Sequence, residues 1–209
     1  QLGRILSEAG KSLVALGRIT EIMDEKAEGK EAGEVTPLLN GDIVFDHVSF
    51  GYEDGTKILD DFCMTIPTGK TVALLGNTGS GKSTIVHLLQ RLFAPDTGTI
   101  TIGGVDIQTI DRAYLRSHVG LMLQEPFLYG RTVMGNLAIA APKKSEPEIF
   151  EMSRVAHADG FIREFENGYE TIIGERGVTL SGGQRQRVAI ARTLLKENNI
   201  LVFDDSLSA

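Results

Sequence analysis

The stretch TVALLGNTGSGKSTIVHLLQRLF, Thr71 to Phe93, decides the fold. Its first six residues are a near-continuous apolar run that predicts a buried strand, and the apolar spacing of STIVHLLQRLF predicts a helix. Between them GNTGSGKST, Gly76 to Thr84, fits the pattern G-x-x-x-x-G-K-[ST] in full. Glycines at these positions let backbone N–H groups turn inward around phosphates, and the following helix N-terminus adds a positive dipole. Lys82 is placed to reach the β- and γ-phosphates of a nucleotide, and the Ser83 hydroxyl to bind Mg2+. Strand, loop and helix in this order make a phosphate-binding unit of an α/β domain.

Two further runs lie downstream. ILVFDD, Ile200 to Asp205, is an apolar strand whose carboxyl end carries two acids, and open α/β sheets bind their ligands at that end. Asp204 is therefore expected to hold Mg2+ through water. In LSGGQRQR, Leu180 to Arg187, Ser181 is a good N-cap, while Gly182 and Gly183 expose N–H groups at a helix start. That makes a second anion site, distinct from the first. One nucleotide has no obvious way to use both within a single chain.

These three runs in this order resemble the ATP-binding cassette of ABC transporters, and the resemblance covers almost the whole chain. It implies an α/β fold of the P-loop NTPase, ABC type, with an antiparallel β subdomain and a small helical subdomain at about residues 125–180. ATP and Mg2+ are the implied cofactors. Gly76, Asn77, Thr78, Gly79, Ser80, Gly81, Lys82, Ser83 and Thr84 would cradle the phosphates. Ser181, Gly182, Gly183 and Gln184 would cap the γ-phosphate of the nucleotide on an opposite subunit. Tyr52, just after VSFG, resembles the aromatic residue that stacks on adenine. Gln124 resembles the glutamine that contacts Mg2+ and the attacking water and signals to the membrane domain. The metal would thus be held by Ser83, Gln124 and Asp204, and the chemistry carried by Lys82, Gln124 and Asp205. The run GERG, Gly174 to Gly177, resembles the cross-link loop of exporters.

One departure bears on activity. The family's position after the metal-side aspartate usually holds a glutamate, and here it is Asp205. The carboxylate is withdrawn by one methylene, and a misplacement on the order of 1 Å costs about a hundredfold in rate. The change resembles the degenerate half of heterodimeric exporters, whose own site binds ATP and turns it over poorly. A second nucleotide-binding domain is the implied partner, in a homodimer or, favoured by Asp205, a heterodimer. The other implied partner is a fused or associated transmembrane domain at the cytoplasmic face of the membrane.

The rest of the sequence fits this frame. From Gln1 to Asp24 apolar residues recur at three- and four-residue spacing, and EKAEGKEAGEVTP reads as a linker, so residues 1–40 are expected to be a helix and linker leading from a membrane domain. Residues 41–209 are expected to be the nucleotide-binding domain. DIVFDHVSFGY and KILDDFCMTIPTG predict paired strands, GTITIGG a hairpin, DRAYLRSHV a short helix and VGLMLQ a buried strand. The chain stops inside what the resemblance makes the D-loop, so the switch histidine is expected further on. The 209 residues carry a formal net charge of −7, which argues against nucleic acid as a partner. Cys63, the single cysteine, is expected to be a buried free thiol, and His47, His87, His118 and His157 show no metal-ligand spacing with it or with one another. Two alternatives stand beside the exporter reading: a soluble ABC-type ATPase, and a non-hydrolytic, ATP-dependent regulatory dimerisation module.

Overall fold

The computed structural model describes residues 2–25, 33–52, 55–123, 125–174 and 180–204. The chain divides into two compact units, 1–32 and 33–209. The described part of the first holds one helix, α1 (Leu2–Asp24), whose residues Leu13, Leu16, Ile19 and Met23 are exposed. Among the described residues no helix is long and apolar enough to cross a membrane.

The second unit begins with an antiparallel sheet of β1 (Ile43–Gly51), β2 (Lys57–Ile66), β3 (Thr97–Ile102) and β4 (Val105–Asp106), in the order β2-β1-β3-β4. Alternation alone does not fit β1, because its buried residues are Ile43, Phe45, Val48 and Phe50, with a three-residue step in the middle. A bulge supplies the extra residue. Phe45 pairs with Met64 and Val48 with Phe62, so Asp46 and His47 together oppose Cys63 alone. His47 takes φ 50, and the inserted residue resets the pleat so that Val48 and Phe50 return to the core face. On the other side of the bulge the backbone of β3 must come close. A Cβ on Gly98 would lie 2.3 Å from the His47 carbonyl oxygen, and Gly98 has φ 83, so only glycine fits there.

Helix α2 (Lys82–Leu89) lays Ile85, Leu88 and Leu89 against this sheet, in a cluster with Phe45, Ile100, Ile102 and Leu115. Each such fully buried aliphatic or aromatic side chain is worth about 1.5–3 kcal/mol of burial. Asp111 caps α3 (Arg112–His118) by accepting from Tyr114 N–H at 2.6 Å. That helix leads into β5 (Val119–Met122), which pairs in parallel with β6 (Ile200–Phe203).

Between these two parallel strands the chain builds a helical lobe with its own core. It holds α4 (Val133–Ala138), α5 (Glu146–Val155), α6 (Asp159–Arg163) and α7 (Gly182–Leu194). Leu128, Leu137, Ile162, Ile173, Leu180 and Val188 are buried together there. Asn136, fully buried, pins the loop that enters the lobe: its amide donates to the carbonyls of Tyr129 and Thr132 at 3.0 Å each and accepts from Tyr129 N–H at 2.8 Å. A buried amide satisfied this way fixes a loop as firmly as apolar packing does.

Two expectations are corrected. The run TVALLG enters the glycine loop but forms no β-ladder among the described residues, and Leu75 is 92% exposed. An apolar run becomes a strand only where a neighbour accepts and donates its backbone hydrogen bonds, and β5 and β6 form a sheet of two without it. Cys63 is exposed rather than buried, because β2 is apolar on both faces at that point and the bulge leaves the sulfur on the outer one.

Candidate functional site

The glycine loop is closed by a turn in which Ser80 N–H donates to the Asn77 carbonyl at 3.1 Å. Gly81, with φ 90, stands at the N-cap of α2, and a Cβ on it would come within 3.0 Å of Leu59 and 3.1 Å of Ile58. No side chain caps this helix. Its first N–H groups, which have no intrahelical partner, are therefore left for a ligand, and the positive end of the helix dipole selects an anion.

Lys82 Nζ donates to the carbonyl oxygens of Gly76 at 2.7 Å and Asn77 at 2.8 Å. The loop is thus wrapped around the ammonium that the sequence assigns to phosphate. An ammonium has three donors, and a phosphate oxygen offers it a charged acceptor in place of a neutral carbonyl.

The neighbouring residue makes the long-range connection. Ser83 Oγ donates to Asp204 Oδ2 at 3.4 Å, across 121 positions of sequence. Asp204 N–H in turn donates to the Met122 carbonyl at 2.9 Å, which holds the acid at the carboxyl end of the β5–β6 pair. A hydroxyl and a carboxylate brought together at a phosphate-binding helix start are hard oxygen donors, suited to Mg2+. Gln124 and Asp205 lie outside the described residues, as do residues 175–177 of the GERG run.

Tyr52 is half-buried beside this loop. Its ring meets Phe50 and Phe93 edge-on, with centroids 5.0 and 5.3 Å away, and its hydroxyl is 3.3 Å from Thr84 Oγ1. The ring is held upright by its neighbours, one end anchored to the first turn of α2.

The helix start that the sequence offers as a second anion site lies in the helical lobe. Ser181 caps α7: its hydroxyl accepts from Gln184 N–H at 3.2 Å, and Gln184 Oε1 accepts from Ser181 N–H at 2.9 Å. This reciprocal box uses two donors of the helix start. Leu180 is buried beneath it, and Arg185 donates to the Leu180 carbonyl at 2.7 Å. Among the described residues, nothing demands the two glycines. A Cβ on Gly183 would meet nothing within 4 Å, and one on Gly182 only the Arg185 guanidinium at 4.0 Å. Glycine at a helix start leaves its backbone N–H groups open to close approach.

Elsewhere, charge serves structure. Glu148 is pulled down to about 2 by hydrogen bonds from the Ser145 backbone and hydroxyl and then from Lys144. Burial pushes the Tyr169 hydroxyl up to about 12. Burial works against the charge of its partner Asp159, but the hydrogen bonds from Arg163 and Tyr169 outweigh it and hold that carboxyl below its ordinary range. Burial also lowers Arg192, which donates to the Phe127 carbonyl at 2.9 Å. Arg192, Phe127 and Tyr129 line a depression of about 510 Å³ that no residue of the glycine loop borders.

Sequence reading did not single out Asn136, whose side-chain hydrogen bonds set the loop following Gln124, and no local pattern marks it. Nor did it join His47 to Cys63. The two are 16 positions apart, yet His47 N–H donates to Cys63 Sγ at 3.3 Å, and Asp46 lies beside them.

Comparison with known proteins agrees with this geometry. A family described as ABC transporter matches residues 59–208. The chain is 45% identical over 98% of its length to a mitochondrial potassium channel ATP-binding subunit of Xenopus tropicalis, and covers 30% of that protein. It is 42% identical over 94% of its length to the alpha-hemolysin translocation ATP-binding protein HlyB of Escherichia coli O157:H7, covering 28% of it. The structure of a bacterial Atm1-family ABC exporter with ATP bound superimposes with a TM-score of 0.85 at 35% identity, over 100% of this chain and 37% of the other. The chain thus spans about a third or less of the curated relatives it matches.

Proposed function

From the premise that this chain belongs to the ABC transporter family as a nucleotide-binding domain, we propose that it is the ATP-driven motor of an exporter, working at the cytoplasmic face of a membrane. It would be joined to a transmembrane domain on its N-terminal side, with residues 1–40 as the connection and residues 41–209 as the motor. The observation that carries this reading is the Ser83–Asp204 contact at the uncapped start of α2, where a phosphate cradle and a metal ligand pair coincide.

The proposed mechanism follows from the side chains. Backbone N–H groups of residues 76–84 and Lys82 bind the β- and γ-phosphates, and Tyr52 holds the adenine end. Ser83, Asp204 and Gln124 would hold Mg2+, which when bound neutralises charge on the β- and γ-oxygens. Asp205 orients the attacking water and accepts its proton. The Ser181 hydroxyl and the N–H groups of Gly182 and Gly183 serve a different nucleotide, the one on the partner, where they stabilise charge developing on the γ-phosphate. The open space over those glycines supports this, since a phosphate of another subunit needs that approach.

Asp205 makes this chain's own site the slow one in the proposed pair, and the partner a second, non-identical nucleotide-binding domain. Steady-state ATPase of the full-length complex tests both points. Gly182→Asp should remove most turnover, because it blocks the partner's site; Asp205→Ala should change turnover little. An equal loss from the two variants would show this chain's own site to be a main catalyst and remove the degenerate-half reading. Loss from neither would leave the regulatory dimerisation module as the better description.

A further inference from the structure

The bulge in β1 assembles a group of side chains that the nucleotide site does not use. Asp46, His47 and Cys63 are all exposed, and one ligand atom from each lies within 4.8 Å of the others. His47 Nδ1 is 2.6 Å from Asp61 Oδ1. With Nδ1 taken, Nε2 is the nitrogen left for a ligand, and it lies 3.9 Å from Asp46 Oδ1. A carboxylate behind an imidazole is the arrangement that orients metal-binding histidines and raises their basicity. The sulfur is held in place too, since the N–H of His47 donates to it at 3.3 Å across the bulge.

We propose that Asp46 carboxylate, His47 Nε2 and Cys63 thiolate form a binding site for a zinc-class divalent cation, with Asp61 positioning the imidazole and a water completing the tetrahedron. The donor set decides the class of ion: one soft sulfur, one imidazole and one carboxylate suit Zn2+ and exclude Mg2+ and Ca2+, which take oxygen. Ligands at 2.0–2.3 Å from a tetrahedral ion stand about 3.3–3.7 Å apart. The present spread of up to 4.8 Å among one ligand atom of each residue, with His47 Nε2 and Asp46 Oδ1 at 3.9 Å, therefore needs to close by about 1–1.5 Å, which exposed side chains do by small rotations. On binding, Cys63 gives to solvent its one thiol proton, which now points at the Asp61 carbonyl oxygen at 3.9 Å, and the metal–sulfur bond replaces S–H. The ion would clip β1 to β2 at the point where their register slips.

Cobalt(II) is the probe, added to the 209-residue chain as a spectroscopic substitute for zinc. Because Cys63 is the only cysteine, a sulfur-to-cobalt charge-transfer band reports this site and not the phosphate loop. The band should saturate at one equivalent and be bleached by Zn2+. Cys63→Ser should abolish it. His47→Gln should weaken binding at least tenfold, and Asp61→Asn about 10–100-fold with the band still present. Circular dichroism of each variant checks folding; should Cys63→Ser not fold, the two exposed variants decide. No band in the parent, or equal affinity in parent and His47→Gln, overturns the proposal.

Discussion

Gly183→Ala separates what the chain needs from what a partner needs. Among the described residues the new methyl meets nothing within 4 Å, so no clash with them and no strained φ opposes it. Replacing glycine by alanine in a helix gains about 0.5–1 kcal/mol, with the lower end expected this close to the N-terminus of α7. For a domain of this size 1 kcal/mol is about 2–4 °C in Tm, so the variant should melt about 1–4 °C above the parent. On the proposed reading the same methyl stands between the N–H donors and a γ-phosphate from the partner. A displacement of about 1 Å there costs roughly a hundredfold in rate. Thermal denaturation of the chain and steady-state ATPase of the full-length transporter measure the two effects. A lower Tm would show that the glycine serves this chain's own fold. Unchanged turnover would show that nothing approaches it from outside, and the cross-subunit reading would fall.

The other predictions concern single side chains. Lys82→Ala should remove Mg-ATP binding by calorimetry while shifting stability within about 0.5 kcal/mol, since its hydrogen bonds are to Gly76 and Asn77 of its own exposed loop; equal affinity would refute the phosphate role. Tyr52→Ala should weaken ATP by about 1–3 kcal/mol, with Tyr52→Trp near the parent, if the ring stacks on the base; matching behaviour of the two variants would leave Tyr52 as packing for Phe50 and Phe93. Glu148 has its carboxyl drawn from 4.5 to about 2 in the folded chain, so its contribution is full above pH 4.5 and is lost as pH falls through about 2. Urea midpoints between those pH values should fall more steeply for the parent than for Glu148→Gln, and identical slopes would show that the Ser145 hydrogen bonds contribute nothing.

How far the sequence could be read depended on whether a feature was local. Ser181 and Gln184 are three apart, and the box they form is visible as S-x-x-Q ahead of a helical apolar stripe. The order of strand ILVF and its acid was equally legible, yet only the fold shows Asp204 reaching Ser83. In β1 the sign of the bulge was present as a three-residue step from Phe45 to Val48. Its partner β2, KILDDFCMTI, is apolar at Phe62, Cys63 and Met64 in succession, so no period says which side the sulfur takes. His47 meeting Cys63 is a matter of cross-strand register, which spacing along the chain does not encode. TVALLG was misread for a related reason: composition marks it as strand-forming, while pairing is decided by another segment.

The two candidate anion-binding helix starts are rooted in different cores, α2 in the cluster around Phe45 and Ile100, α7 in the cluster around Leu137 and Ile162. Each is therefore held rigid by its own packing, and a nucleotide in the first is not closed by small adjustments of side chains around the second. On the proposed function, closure comes from a second chain, and the free energy of that docking from γ-phosphate contacts that hydrolysis destroys. On the proposed reading this is why Asp205 matters more to timing than to affinity. A carboxylate set back by one methylene leaves the P-loop, the metal ligands and the partner's cap untouched, so ATP still joins the two domains at this site. What slows is the step that releases them. The pair would stay joined here while the partner's site, completed by Ser181, Gly182 and Gly183 of this chain, opens and closes with each turnover.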